Sequence, residues 1–193
     1  MRRRLKAAAP RRPSSQRSEE FPENNLRVVF TEKQIRKRVG ELAKEISRDY
    51  QGRALHVIGI LENSFMFMAD LIRALKVPVV CHFMKVETRD RTEGGVAVRE
   101  LLYTPKVEVV GKDVLLVDGI LQSGVVQEYL HRYLLGQGPA SLRTAALVEK
   151  TNERKVDLST DYSAFKTSAK FIVGYGLGYQ DKYRNLAYLA SLA

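Results

Sequence analysis

The chain has 193 residues, 45% of them hydrophobic, and a formal net charge of +10, which suits one α/β domain with room for a sizeable core. No apolar run approaches the roughly 18 residues of a membrane span, so no helical bilayer crossing is expected. One cysteine, Cys81, excludes an internal disulfide and fits a reducing, cytoplasmic setting; within Pro78-Val79-Val80-Cys81 it is expected to be a small buried hydrophobe.

Residues 1–25 hold part of the positive charge, in Arg2, Arg3, Arg4, Lys6, Arg11, Arg12 and Arg17 against Glu19, Glu20 and Glu23, with Pro10, Pro13, Pro22 and several serines. No apolar periodicity runs through them, so a disordered basic tail is expected. An Arg- and Ser-rich start is also the composition of an organellar transit peptide. Without interleaved aromatics it gives little reason to expect nucleic-acid binding.

Residues 26–193 read as one compact domain. Thr31 and Gln34 form a T-x-x-Q capping pattern, and Ile35, Val39, Leu42, Ala43 and Ile46 recur at helical spacing up to Tyr50-Gln51-Gly52. Ala54 to Ile60 is a strand-length apolar run, and Phe65 to Leu75 a helix with a broad apolar face. Pro78 to Val86 reads as a strand, interrupted by the polar stretch from Glu87 to Gly95, with another strand from Val96 to Tyr103. Val114 to Val117 is a continuous apolar run leading into Asp118, a turn from Gly119 to Gly124, and a helix from Val125 to Leu135. Leu142 to Val148 and Phe171 to Tyr175 are the remaining strand candidates. Continuous apolar strands separated by helices imply a mainly parallel sheet covered on both faces. Ligands then belong beyond the carboxyl ends of its strands, where a turn such as Ser123-Gly124 ahead of a helix can cradle a phosphate.

The segment VLLVDGILQSG, Val114 to Gly124, resembles the diphosphoribose-binding motif of type I phosphoribosyltransferases. Phe171 to Leu177 with Tyr183 to Leu186 resembles the C-terminal signature of the hypoxanthine-guanine branch. So do Arg48 to Gly52, Phe67 to Leu71, and Arg154 to Asp157 with Asp161-Tyr162. The resemblance implies the type I phosphoribosyltransferase fold, a mainly parallel sheet flanked by helices with a small hood from the chain ends.

It also implies a set of roles. On the purine side, Lys150 matches the lysine that donates to the exocyclic oxygen of a 6-oxopurine. Phe171 matches the aromatic that stacks on the base, and Ile172 the residue whose backbone meets the base edge. On the ribose and phosphate side, Asp118 matches the first of two adjacent acids, while Gly119 replaces the second. Ser123 and Gly124 keep the phosphate-facing turn, but Val126 stands where a hydroxyl is usual. Gln122 occupies the position of the aspartate that accepts the purine N7 proton, so no catalytic residue is intact. Glu62 falls in the pyrophosphate loop in place of a lysine, Arg184 matches the arginine at that end, and Thr88-Arg89 matches the Ser-Tyr pair of the mobile loop. Gly178 stands at a lost acid of the magnesium shell, which leaves metal binding doubtful with only Asp118 retained.

These replacements imply a catalytically impaired or inactive relative of a purine-salvage enzyme, one that binds a purine base or nucleotide or serves as a partner subunit. The alternative is an active enzyme that makes IMP or GMP from the base and phosphoribosyl diphosphate, with Mg²⁺. The family's habit implies a homo-oligomer, or a hetero-oligomer with an active paralogue, and no membrane partner.

Overall fold

Thr31 opens the first helix as the capping pattern predicts. Its hydroxyl accepts from the Gln34 amide at 3.3 Å, and the Gln34 side chain accepts from the Thr31 amide at 2.8 Å, satisfying free donors at the helix start. Helix α1 (Glu32–Asp49) buries Ile35, Val39, Leu42, Ala43 and Ile46, the five predicted positions. The computed structural model describes residues 26–93, 96–104 and 107–192; the tail predicted over residues 1–25 lies outside them. The strands are β1 (Leu26–Phe30), β2 (Leu55–Leu61), β3 (Val79–Glu93), β4 (Val96–Thr104), β5 (Asp113–Leu121), β6 (Ser141–Lys150), β7 (Tyr162–Thr167), β8 (Ile172–Val173) and β9 (Leu189–Leu192). Helices α2 (Phe65–Ala74) and α3 (Val125–Leu135) complete the set. Among the described residues no helix is long and apolar enough to cross a membrane.

The main sheet has the order β4-β3-β2-β5-β6-β7. It is parallel from β3 to β7, with β4 antiparallel at one edge. Leu115 and Val117 of β5 join the core beneath α1 and α2, whereas Val114 and Leu116 join the one beneath α3. Burial on both faces is why this strand reads as an unbroken apolar run rather than an alternation. The two chain ends supply the smaller antiparallel sheet, β1-β9-β8, packed through Val173, Tyr183 and Ala190. At the amino ends of the main strands, the Asp49 carboxylate accepts from Arg143 Nη1 and Tyr162 OH, both at 2.8 Å. This ties the end of α1 to β6 and β7, and the Tyr162 hydrogen bond leads the causes that hold the Asp49 carboxyl below its ordinary range.

The structure corrects several expectations. Strand β3 does not stop at the polar stretch; it runs through Glu93 and pairs with β4 from Lys85↔Thr104 to Glu93↔Val96. Thr88 and Arg89, expected in a loop, lie in that ladder opposite Leu101 and Glu100. The pairing with β4 decides there, because a polar stretch without apolar alternation gives no strand signal of its own. Cys81, expected to be buried, is exposed: β4 pairs with β3 only from Lys85 onward, so the earlier half of β3 is an edge. Asp118 and Gly119 do not follow β5 but lie within it, since pairing with β6 continues to Leu121↔Glu149. The strand predicted from Phe171 shrinks to Ile172–Val173, and β1, β7 and β9 are additions.

Candidate active site

The carboxyl ends of β2, β5 and β6 meet at one end of the sheet, and two adjoining cavities open there. The first, of about 310 Å³, is lined by Asp118, Gln122, Ser123, Val126 and Gln127, with Asn63 and Ile120. The second, of about 270 Å³, is lined by Phe171, Ile172, Leu177, Gly178 and Tyr179. Asn63, Ile120 and Gln122 belong to both linings. Gln122 therefore stands on the wall between a polar chamber and an aromatic one.

Among the described residues that line the polar chamber, Asp118 is the one carboxylate. Asp118 is 4% exposed, and its oxygens accept from the Gln127 amide and from the Ile120 backbone N–H at 3.4 Å. Burial pushes its carboxyl up to about 6, opposed in part by the Gln127 hydrogen bond. Gln127 shares the buried face of α3 with Leu130 and Leu134. A polar residue in that apolar stripe was the sequence signal for it, and the sequence reading missed it.

The turn that follows β5 is set by Gly124, whose φ of 82° caps α3 in the left-handed region. The Val125 N–H reaches Ser123 Oγ at 3.4 Å, while the Lys155 N–H donates to the Ser123 carbonyl at 2.9 Å. This brings the segment after β6 over the turn, where a Cβ on Gly124 would lie 2.7 Å from Val156 Cγ2. Val126 gives the chamber an apolar wall in place of a hydroxyl.

Phe171 dominates the second cavity. It is 63% exposed with φ of 43°, a conformation that side chains rarely adopt, and Tyr179 meets it edge-on at 6.3 Å. A large exposed aromatic held in a costly backbone conformation beside a cavity is the arrangement of a stacking platform. Ile172 turns its side chain into the core, leaving backbone to face the cavity. Lys150 departs from expectation. Its ammonium is buried, donates to the Ala169 carbonyl and pairs with Glu153 Oε1 at 2.9 Å, and it is absent from the cavity lining. Two of its three donors are thus engaged within the protein.

On the far side of Asn63, Glu62 pairs with Lys85 at 3.5 Å and with Arg184 at 3.3 Å. Arg184 also donates to Asn63 Oδ1 and to the Gly176 carbonyl, both at 2.8 Å. The two glycines at lost acids sit against this cluster. A Cβ on Gly119 would lie 2.7 Å from the Asn63 carbonyl carbon and 2.8 Å from Leu177 Cδ2; one on Gly178 would lie 2.8 Å from Arg184 Cζ. Gln127, Tyr179, Glu153 and Lys85 are the site residues that sequence reasoning did not single out.

Among the described residues that line the polar chamber, Asp118 is the one carboxylate that would face a magnesium ion, and it is engaged by Gln127; such an ion takes one or two carboxylates plus ligand oxygens. Among the described residues no three His, Cys, Asp or Glu side chains gather as a metal site.

Comparison with known proteins agrees with this geometry. Residues 29–180 match the phosphoribosyl transferase domain family. The chain is 37% identical over 169 residues to the hypoxanthine-guanine phosphoribosyltransferase of Dictyostelium discoideum, covering 86% of this chain and 94% of that protein. It is also 37% identical over 162 residues to the Aquifex aeolicus protein of the same name, covering 83% and 91%. Among solved structures, a Staphylococcus aureus hypoxanthine phosphoribosyltransferase superposes with a TM-score of 0.81 at 33% identity, over 92% of this chain and 97% of that one. A Bacillus anthracis hypoxanthine-guanine phosphoribosyltransferase gives 0.77 at 36% identity, over 86% and 97%. The chain belongs to the phosphoribosyl transferase domain family, in its hypoxanthine-guanine phosphoribosyltransferase branch.

Proposed function

We propose that this chain binds a 6-oxopurine base or its nucleotide across the two cavities, and that it carries out phosphoribosyl transfer at a rate well below that of an ordinary member of its branch. Gln122 on the shared wall carries this reading. An amide there can hydrogen-bond the purine N7 but cannot take and keep its proton near neutral pH. General acid–base help of that kind is worth about 10²–10⁴-fold. Phe171 stacks on the base and the backbone at Ile172 meets its edge; Lys150, buried and absent from the cavity lining, makes no contact with the base in this arrangement. Ser123 and Gly124 present the backbone turn to a 5′-phosphate, and Asp118 accepts from ribose hydroxyls. Any magnesium arrives on the diphosphate of the donor.

A second reading, an unimpaired transferase that makes IMP or GMP, is favoured by the relatives: they carry the hypoxanthine-guanine phosphoribosyltransferase name, and the alignment spans nearly their whole length. Both readings require the base platform, which is tested first. Calorimetric titration with GMP should show binding that falls about tenfold or more in Phe171→Ala, since an aromatic stack contributes roughly 1–3 kcal/mol per base. Equal affinity in the two proteins would remove Phe171 from the site.

A further inference from the structure

Gln127 lies in the first turn of α3, on the face that carries Leu130 and Leu134 into the core. An amide in such a stripe costs free energy unless both of its ends find partners. One end does. Its Nε2 donates to the Asp118 carboxylate and, at 3.5 Å, to the Ile120 carbonyl. Both neighbours are acceptors, which fixes the nitrogen on that side and turns Oε1 away from them.

Oε1 is the free end. Among the described residues no group donates to it, yet it is not one of the sealed, partnerless side-chain atoms, which include Ser64 Oγ and Tyr50 OH. Gln127 is 8% exposed, and the space it borders is the polar chamber, whose lining it shares with Asp118 and Ser123. The chamber wall thus carries two kinds of acceptor side by side: carboxylate oxygens with spare lone pairs and an amide oxygen. The bond from Nε2 to Asp118 holds them in a fixed relation. Two hydroxyls on neighbouring carbons are the group that such a pair recognises. An anion, which brings acceptors of its own, gains nothing there.

We propose that Gln127 is a binding residue for a sugar diol: its Oε1 accepts from one hydroxyl while Asp118 accepts from the other. The side chain thereby makes the site selective for ribose over deoxyribose ligands. The diol chemistry rests on the paired acceptors; that the diol belongs to a purine nucleotide rests on the function proposed above.

The test titrates the full chain calorimetrically with GMP, 2′-deoxy-GMP and 3′-deoxy-GMP. Ribose 5-phosphate, which has no base to stack on Phe171, is the fourth probe. Gln127→Lys keeps an apolar stem and a donor for Asp118 but offers no acceptor; Gln127→Met removes donor and acceptor together. One hydrogen bond of this kind changes affinity by up to about tenfold. The wild type should prefer GMP to each deoxy nucleotide by about that factor, and Gln127→Lys should lose the preference against one of the two. A comparison of preferences cancels the effect of the added charge on the phosphate, and a purely structural role would leave them unchanged. Ribose 5-phosphate should bind about tenfold more weakly to Gln127→Met than to the wild type. Both preferences intact in Gln127→Lys, no preference in the wild type, or equal ribose 5-phosphate affinity in wild type and Gln127→Met would overturn the proposal. A wild type that binds ribose 5-phosphate but not GMP counts against the purine reading and leaves the base-free comparison to decide the diol; binding of neither overturns both.

Discussion

Gly119→Asp should lower stability by about 2–4 kcal/mol and fail to restore transferase activity, although it replaces the acid that the family carries there. Gly119 is buried inside β5. A Cβ at that position would press on the carbonyl of Asn63 and on Leu177, and overpacking a filled site costs about 1–3 kcal/mol. A carboxylate adds the penalty of burying a charge beside Asp118. Gly119→Ala separates the two effects, because it adds the Cβ without the charge. Urea denaturation reads both variants. A Gly119→Asp midpoint equal to that of the wild type would show that the Glu62–Asn63 turn moves aside freely, and that Gly119 is a simple loss rather than part of a fitted cluster. Restoring the acid at Gly119 alone therefore does not rebuild the family's site.

Asp118→Asn should stabilise the protein near neutral pH and change how stability depends on pH. The Asp118 carboxyl titrates at about 6 in the fold, raised by burial from 3.8. Between those values the native state keeps a proton that the unfolded chain releases, so stability falls as pH rises through this window. Above about pH 6 the fold carries a buried carboxylate supported chiefly by Gln127. The shift corresponds to about 3 kcal/mol, and Asn at this position avoids the ionisation. The stability difference between Asp118→Asn and wild type should grow by roughly 2–3 kcal/mol from pH 4 to pH 7, measured by urea unfolding across that range. A flat difference would mean that water or the Gln127 amide already compensates the charge.

Much of the fold could be read because the sequence states its layers directly. The capping pair Thr31 and Gln34 and the five buried positions of α1 recur in the structure, as does α3 with its bounds unchanged. Strands β1, β7 and β9 were missed because they are short. The ends of the chain carry no signal of their pairing; Leu26 finds Leu192 only once the domain has folded. The extent of β5 was misjudged for a related reason: an acid and a glycine suggest a turn, but the β6 ladder holds the strand through both.

The site divides in the same way. Gln122 and Asp118 could be singled out because they lie in the motif from Val114 to Gly124, and Phe171 because it opens the C-terminal signature. The partners of those residues could not. The bond from Gln127 to Asp118, the contact of Lys150 with the Ala169 carbonyl, and the Glu62–Arg184 pair each depend on separate segments meeting. Glu62 could be read as repulsive to a polyanion, but not as already neutralised by two cations.

The central claim is that the neutral amide at Gln122 limits phosphoribosyl transfer at this site. Steady-state turnover with phosphoribosyl diphosphate, Mg²⁺ and hypoxanthine, for wild type and for Gln122→Asp, tests it most directly. The expected result is wild-type turnover below the ordinary enzymatic range of roughly 1–10³ per second, with Gln122→Asp faster by about 10²-fold or more. Wild-type turnover within that range, or a Gln122→Asp variant no faster than wild type, would contradict the account.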